Sequence, residues 1–470
     1  MRPGAGAYAR AVTPTVGFDL DMTLVDPRPG VVATVRRLAA LDGVVLDGQV
    51  WAGRLGPPVE QELAHWYPAG EVAAAADRYR ALFAEVGVSG TTLLPGARAA
   101  VEAVRATGGR VVVVSAKSPA LVQATVEALG LEVDALHGWL WGEGKATALR
   151  EEGAGVYVGD HPLDVLGARA AGAVAVGVRT GGTTPDGADA LLADLTAFPD
   201  WWSGHLLGAR LAALDAGLRG LGSVLVAFSG GADSAFLLAA AVRALGAERV
   251  VAATAVSASL AAAELPPAAA YARSLGVRHL TPGTDELSRP GYVANGGDRC
   301  WHCKATLLDE LRPLAAAHGL AAVVTGTNAD DAVAGFRPGI RAAAERGAVT
   351  PLRDAGLTKA QVRAASRRWG LVTADKPALA CLASRIAYGV QVTPAGLARV
   401  DRAETALRAH LGAVRDLRVR DLGAGAARVE LDPDALGRCD DEALEVVRGA
   451  GFDRVAVQAF RSGSLNDLLA

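Results

Sequence analysis

The chain has 470 residues with 51% hydrophobic and 21% charged content, which at roughly 100–200 residues per domain predicts two to four globular domains and excludes both a disordered chain and a coiled coil. Its 47 Lys and Arg against 50 Asp and Glu give a net charge of −3, so no basic surplus is available for counterion release and no nucleic-acid partner is expected. Four cysteines are too few for a disulfide scaffold, and the C-x-x-C spacing of two of them points to metal or redox chemistry in a reducing compartment.

Residues 1–15 lack the apolar stretch of a secretory signal, and later apolar runs are broken by charge well before the ~18 residues of a membrane span. A cytoplasmic protein with no membrane partner is therefore expected. TVGFDL, RVVVVSA, AGVYVGD and AVAVGV read as parallel strands buried on both faces, because their β-branched runs show no polar alternation. Between the first two, residues 31–92 carry helical periods only and read as an inserted helical cap. After a Gly/Pro/Asp-rich loop at 179–189, HLLGARLAALDAGLRGL leads as a helix into a second half. There SVLVAF, RVVAATAV and AAVVTGT are the strands, and AFLLAAAVRAL, PAAAYARSLG and TLLDELRPLAAAHG the helices. From about 385 the order becomes helix, two alternating strands (RDLRVRDL, AARVEL), helix and a last strand (RVAVQAF). The fold class expected is α/β: two doubly wound, Rossmann-like parallel-sheet domains, at 14–198 and 205–384, and a small α+β domain at 385–470 for substrate binding or oligomerisation.

The end of the first strand, FDLDMTL, carries Asp19, Asp21 and Thr23. Alternation would put all three on one side of an extended segment, at the strand end where open α/β sheets bind ligands. Two acids there repel unless a cation holds them, and an oxygen cluster suits Mg²⁺; the plain alternative is a solvated turn. Ser115 ends the second strand, Lys145 lies in GEGKAT, and Asp160 and Asp164 lie in VGDHPLD. These four motifs in this order resemble the haloacid dehalogenase (HAD) superfamily, in its phosphoglycolate-phosphatase-like branch. The resemblance implies Asp19 as the nucleophile that forms an aspartyl phosphate and Asp21 as general acid and then base. It implies Thr23, Ser115 and Lys145 on the phosphoryl group, and Mg²⁺ among Asp19, Asp21, Asp160 and Asp164.

The first strand of the second half runs into SGGADS, with Ser229, Gly230, Gly231, Asp233 and Ser234, where glycines and a helix N-terminus can close on an anion. A tight βα turn is the plain alternative. The S-G-G-x-D-S spacing resembles the PP-loop ATP pyrophosphatases, which cleave ATP between its α and β phosphates. DRCWHCK (Cys300, Cys303), TGTNADD (Thr325, Asn328, Asp330), FRPG, LTKAQVR, KPALACLASR (Cys381, Ser384, Arg385) and FRSGSLN narrow this to a resemblance to LarE-type sulfur transferases, which serve nickel-pincer cofactor biosynthesis. Ala387 stands where that family often has Pro, and Ala334 and Gly335 where it often has an acid.

The LarE resemblance implies ATP and Mg²⁺, adenylation of a pyridinium carboxylate mononucleotide, and sulfur donation by Cys381. An acyl adenylate is electrophilic enough for a thiolate to attack, and a cationic stretch around Ser384 and Arg385 would favour that thiolate. Cys300, Cys303 and Cys381 also match three ligands of a [4Fe–4S] cluster, while zinc or inert thiols remain the other readings. Arg418 and Arg420 alternate on one strand and form a candidate phosphate fork, with Glu404 beside the same pocket; a solvated strand face is the alternative. The expected protein is thus a bifunctional enzyme, a phosphomonoesterase fused to a sulfur transferase, acting on a small nucleotide as a homo-oligomer. The alternatives are tRNA thiolation or amidation by the second half, and a non-catalytic regulatory first half.

Overall fold

The computed structural model describes residues 13–333, 337–377 and 380–461. Ala334, Gly335 and most of FRSGSLN lie outside them. The chain divides into two compact units within the helix Phe198–Leu221, one spanning Val12–Leu206 and the other running from Leu207 onward.

The first unit is built on six parallel strands: β1 (Thr15–Phe18), β4 (Arg110–Val114), β5 (Ala135–His137), β6 (Ala154–Gly159), β7 (Val174–Val178) and β8 (Ala190–Leu192), in the order β5-β4-β1-β6-β7-β8. Val111 and Val113 pack into one apolar layer and Val112 and Val114 into the other, so the sheet is covered on both faces and its strands tolerate no polar alternation. The helical region after β1 starts and ends on a two-stranded antiparallel ribbon, β2 (Val25–Asp26) with β3 (Thr92–Leu93). It has its own core, including Val35, Leu38, Leu63, Tyr67 and Phe83, as an inserted cap should.

In the second unit β9 (Val224–Ala227), β10 (Val250–Ala253), β11 (Arg278–Leu280) and β12 (Ala322–Thr325) form a parallel sheet of order β11-β10-β9-β12. A third sheet follows, β13 (Leu417–Gly423), β14 (Ala426–Leu431) and β15 (Arg454–Ala459), with β13 antiparallel and β15 parallel to β14. Helices Pro394–Leu411 and Asp441–Gly449 contribute Leu397, Val400, Leu407 and Val447 to its core, and so do Leu382, Ala383 and Ile386 from the segment after Cys381.

Two differences from the sequence reading matter for function. The helix expected from Thr306 begins at Arg299 and runs to Ala317, so Cys300 and Cys303 sit on its first turn, one turn apart on one face. The strands β5, β8 and β11, three residues each, are too short to give a periodic signal.

Candidate active sites

Asp19 follows β1, Ser115 follows β4 and Asp160 follows β6, three neighbouring strands, so the parallel sheet delivers them to one edge. The Asp19 amide donates to the Val158 carbonyl (2.8 Å). Asp164 reaches the same place from the first turn of the next helix, and only glycine at 159 allows it: a Cβ there would lie 2.4 Å from the Asp164 side chain. Asp19, Asp160 and Asp164 each present an oxygen within 4.8 Å of the others. Lys145, 1% exposed, donates to Asp19 (2.7 Å), Asp164 (2.6 Å) and the Tyr157 hydroxyl (2.8 Å).

Burial pushes Asp19 up to about 7, with Lys145 opposing the rise and Asp164 adding to it. Burial, then Asp19 and Asp164, push Asp160 up to about 8. Burial acts to lower Lys145, but Asp164 and Asp19 outweigh it and hold the ammonium charged. Three acids beside one lysine cannot all ionise cheaply, and an all-oxygen donor set of this kind fits a hard divalent cation such as Mg²⁺.

Asp21 and Thr23 do not share one side of an extended segment with Asp19. The chain stops being extended after Leu20, whose carbonyl accepts from the Leu24 and Val25 amides, and Met22 sits at φ 60°. Asp21 is thereby outside the carboxylate trio and accepts from Lys117 Nζ (2.8 Å). Thr23 is fully buried and its hydroxyl donates to Asp160 (2.9 Å), so it orients that carboxylate. Lys117 and Tyr157 were missed by the sequence reading. The first follows Ser115 by two residues, and the second gives no signal inside a buried strand.

In the second unit the Ser229–Gly231 loop closes between β9 and the helix Ala232–Leu245. Gly230 adopts φ 72°, which favours glycine, and Gly326 must also be small because a Cβ would lie 2.9 Å from the Ser234 amide. The Ser229 and Ser234 hydroxyls lie 3.1 Å apart, and the Gly231 amide donates to Ser229 Oγ (3.4 Å). Burial raises the Asp233 carboxyl, Lys359 opposes this, and Asp331 adds to it. Its Oδ1 is buried and accepts no hydrogen bond among the described residues, which fits a charged or metal-bound ligand. Asn328, nearly fully buried, bonds Asp233, while Thr325 is buried beside Thr327. Asp330 instead accepts from the Lys359 amide (2.8 Å) at the start of a helix.

Cys300, Cys303 and Cys381 act on one another electrostatically, although their sulfurs do not all lie within 4.8 Å of one another. Burial raises the Cys303 thiol, and Cys381, Glu286 and Cys300 add to the rise; burial also raises Cys300, where Arg299 opposes it. The soft donor set fits iron–sulfur ligation. Cys439, like Cys303, packs against the C-terminal core, and burial and then Asp440 raise its thiol. The Arg385 guanidinium donates to Glu404 (2.9 and 3.1 Å) and to the Ala380 and Cys381 carbonyls. Ser384 Oγ donates to the Cys381 carbonyl (2.7 Å), and the Ser384 carbonyl accepts from Arg420 (2.9 Å). Arg420 also pairs with the fully buried Glu430 (2.9 Å), and Arg418, 6% exposed, is lowered by burial and by Arg385. The strand face carrying both arginines is therefore buried, not solvated.

Residues 16–169 match the haloacid dehalogenase-like hydrolase family. The C-terminal region matches pyridinium-3,5-bisthiocarboxylic acid mononucleotide synthase of Lactiplantibacillus plantarum at 34% identity over 268 residues, 56% of this chain and 96% of that one. An uncharacterised protein of Synechocystis is 41% identical over 256 residues, 53% of this chain and 94% of its own. Among solved structures, a haloacid dehalogenase-like hydrolase of Streptococcus pneumoniae covers 40% of this chain and 98% of its own at 20% identity and a TM-score of 0.37. Among the described residues no helix is long and apolar enough to cross a membrane.

Proposed function

Since the chain belongs through its C-terminal part to the LarE family of the pyridinium-3,5-bisthiocarboxylic acid mononucleotide synthase and carries a HAD-like hydrolase domain before it, we propose that it is a bifunctional enzyme. The reading assigns 14–198 to a phosphomonoesterase, 205–384 to an ATP pyrophosphatase and 385–470 to substrate binding. The observation that carries it is that Cys303 has both Cys300 and Cys381 as electrostatic neighbours in a chain that also presents the Ser229–Ser234 loop.

In the first half the Asp19 carboxylate attacks the phosphorus of a monoester, Asp21 protonates the leaving oxygen, and Asp21 then deprotonates the water that releases phosphate. Ser115 and Lys145 hold the phosphoryl oxygens, and Thr23 fixes Asp160. Mg²⁺, held by Asp19, Asp160 and Asp164, would supply charge neutralisation for the transferring group.

In the second half Ser229, Gly230, Gly231 and Ser234 cradle the pyrophosphate end of ATP, with Asp233, Thr325 and Asn328 beside it. Ser384, Arg385, Glu404, Arg418 and Arg420 hold a pyridinium carboxylate mononucleotide, whose carboxylate takes the adenylyl group and then sulfur. A [4Fe–4S] cluster on the three thiolates would present an extra sulfide and spare the protein's own sulfur. The test is anaerobic turnover with ATP and pyridinium-3,5-dicarboxylic acid mononucleotide. AMP and pyrophosphate, iron lost on Ala substitution of any of the three cysteines, and repeated turnover with added sulfide support the reading. ADP as the main nucleotide product overturns it. An iron-free protein that leaves dehydroalanine at position 381 replaces the cluster with the sacrificial route.

A further inference from the structure

The cleft at Asp19 is walled by aromatic rings. From the cap, Trp51 stacks on Tyr79 with centroids 4.9 Å apart and planes at 10°, and Phe83 continues the row at 5.9 Å. This row reaches the reacting groups: Asp21 adds to the burial that raises the Tyr79 hydroxyl, and Lys117, which bonds Asp21, lies 4.4 Å from the Phe83 centroid. From the core come Trp139, Trp141 and His161, the last two 5.2 Å apart. Trp139 is 55% exposed and held at φ 59°, a conformation that a bulky residue rarely adopts, with its amide donating to the Lys117 carbonyl (2.9 Å).

The charges of the cleft are matched. Lys145 is engaged by Asp19 and Asp164, Lys117 by Asp21, and Arg80 by Glu60 and Asp77 while its guanidinium lies over Trp139 at 4.5 Å. Among the described lining residues every lysine and arginine is thus paired, which disfavours a bisphosphate, whose second phosphate would need a cation of its own. What remains is one phosphate position and the rings that are not closed into the cap core, the exposed Trp139 and the half-buried Trp141, and stacking on such rings is tolerant of base identity.

We propose that the N-terminal site takes a 5′-mononucleotide, with its phosphate at Asp19 and its base among the aromatic rings of the cleft. This rests on the hydrolase reading above. The O5′–P bond breaks, the phosphoryl group passes to the Asp19 carboxylate, and O5′ takes the Asp21 proton. Water then attacks phosphorus and returns a proton to Asp21, leaving a nucleoside and inorganic phosphate. Two sources of this chemistry arise in the other half of the chain as read above: the AMP released by adenylation, and the pyridinium mononucleotide being modified.

The test uses the full chain with Mg²⁺ and compares kcat/KM for AMP, nicotinic acid mononucleotide, glycerol 3-phosphate, phosphoglycolate and p-nitrophenyl phosphate. At least one mononucleotide should exceed every other ester by about 10-fold or more, the scale of one stacked base. AMP ahead identifies the adenylation product as the source, and the pyridinium nucleotide ahead identifies the sulfuration substrate. In Trp139→Ala the ratio of the preferred mononucleotide to glycerol 3-phosphate should fall by about 10-fold, an internally normalised readout that a loss of folded protein does not move. Non-nucleotide esters turned over as well as both mononucleotides, or a ratio unchanged by Trp139→Ala, overturn this inference and leave the hydrolase reading standing. No hydrolysis of any of the five overturns both.

Discussion

Replacing Lys145 by Met isolates the electrostatics of the carboxylate trio. The ammonium is 1% exposed and donates to two buried carboxylates, and removing one partner of such a pair typically costs about 3–5 kcal/mol. The cost depends on pH. In the metal-free wild type Asp19 is raised from 3.8 to about 7, so between those values the folded state holds a proton that the unfolded chain has lost. Stability therefore falls as pH rises through that window, by ~4 kcal/mol for a shift of about three units at 1.36 kcal/mol each. Lys145 opposes the rise, so its removal should steepen the fall. Urea unfolding in EDTA, followed by fluorescence, should show Lys145→Met losing several kcal/mol at pH 8 and markedly less at pH 5. Lys145→Met/Asp164→Asn should recover most of the loss at pH 8, because the second substitution removes the stranded charge. Equal losses at both pH values, or a double variant no more stable than the single one, would refute the reasoning.

Asp19→Asn should lower phosphatase kcat by more than the ~10² typical of losing a helper group, because the covalent route disappears; phosphate release in the full chain measures it. Glu404→Gln weakens the buried pair with Arg385, although the Val419 amide keeps an acceptor, and should destabilise the C-terminal unit by ~3 kcal/mol in chemical denaturation. Gly230→Ala forces a side chain into φ 72° and against Ala268 Cβ at 3.1 Å; it should cost ~1–2 kcal/mol and raise the KM for ATP in a pyrophosphate-release assay.

The long parallel strands were legible because β1, β4, β6 and β9 are buried on both faces, which forces unbroken β-branched runs. The edge strands β5, β8 and β11 are half-exposed and three residues long, and nothing in their composition marks them. Asp19, Ser115 and Asp160 were legible for a topological reason, since in a parallel sheet residues that follow neighbouring strands share one edge, whereas Lys145 and Asp164 stand on helices and were reached through the resemblance of their motifs. The expectation that Asp21 and Thr23 share one side with Asp19 failed for a local reason. Alternation holds only while a chain is extended, and here it turns at Leu20, sending Asp21 to Lys117 and Thr23 to Asp160.

The arginine cluster shows what a sequence cannot balance on its own. Spacing put Arg418 and Arg420 on one strand face, and the register supplies the counter-charge, since Arg418 stands opposite Glu430 on β14. Glu404 holds Arg385 and also accepts from the Val419 amide (3.0 Å), so one carboxylate ties the segment after Cys381 to β13. Arg385, Arg418, Arg420 and Arg428 surround Glu404 and Glu430 in this network, and Arg418 is depressed by burial and by Arg385 and Arg420, the direction that excess positive charge imposes. Because each buried carboxylate answers to more than one element, substituting Glu404 or Glu430 should loosen the segment after Cys381 together with β13 and not either one alone.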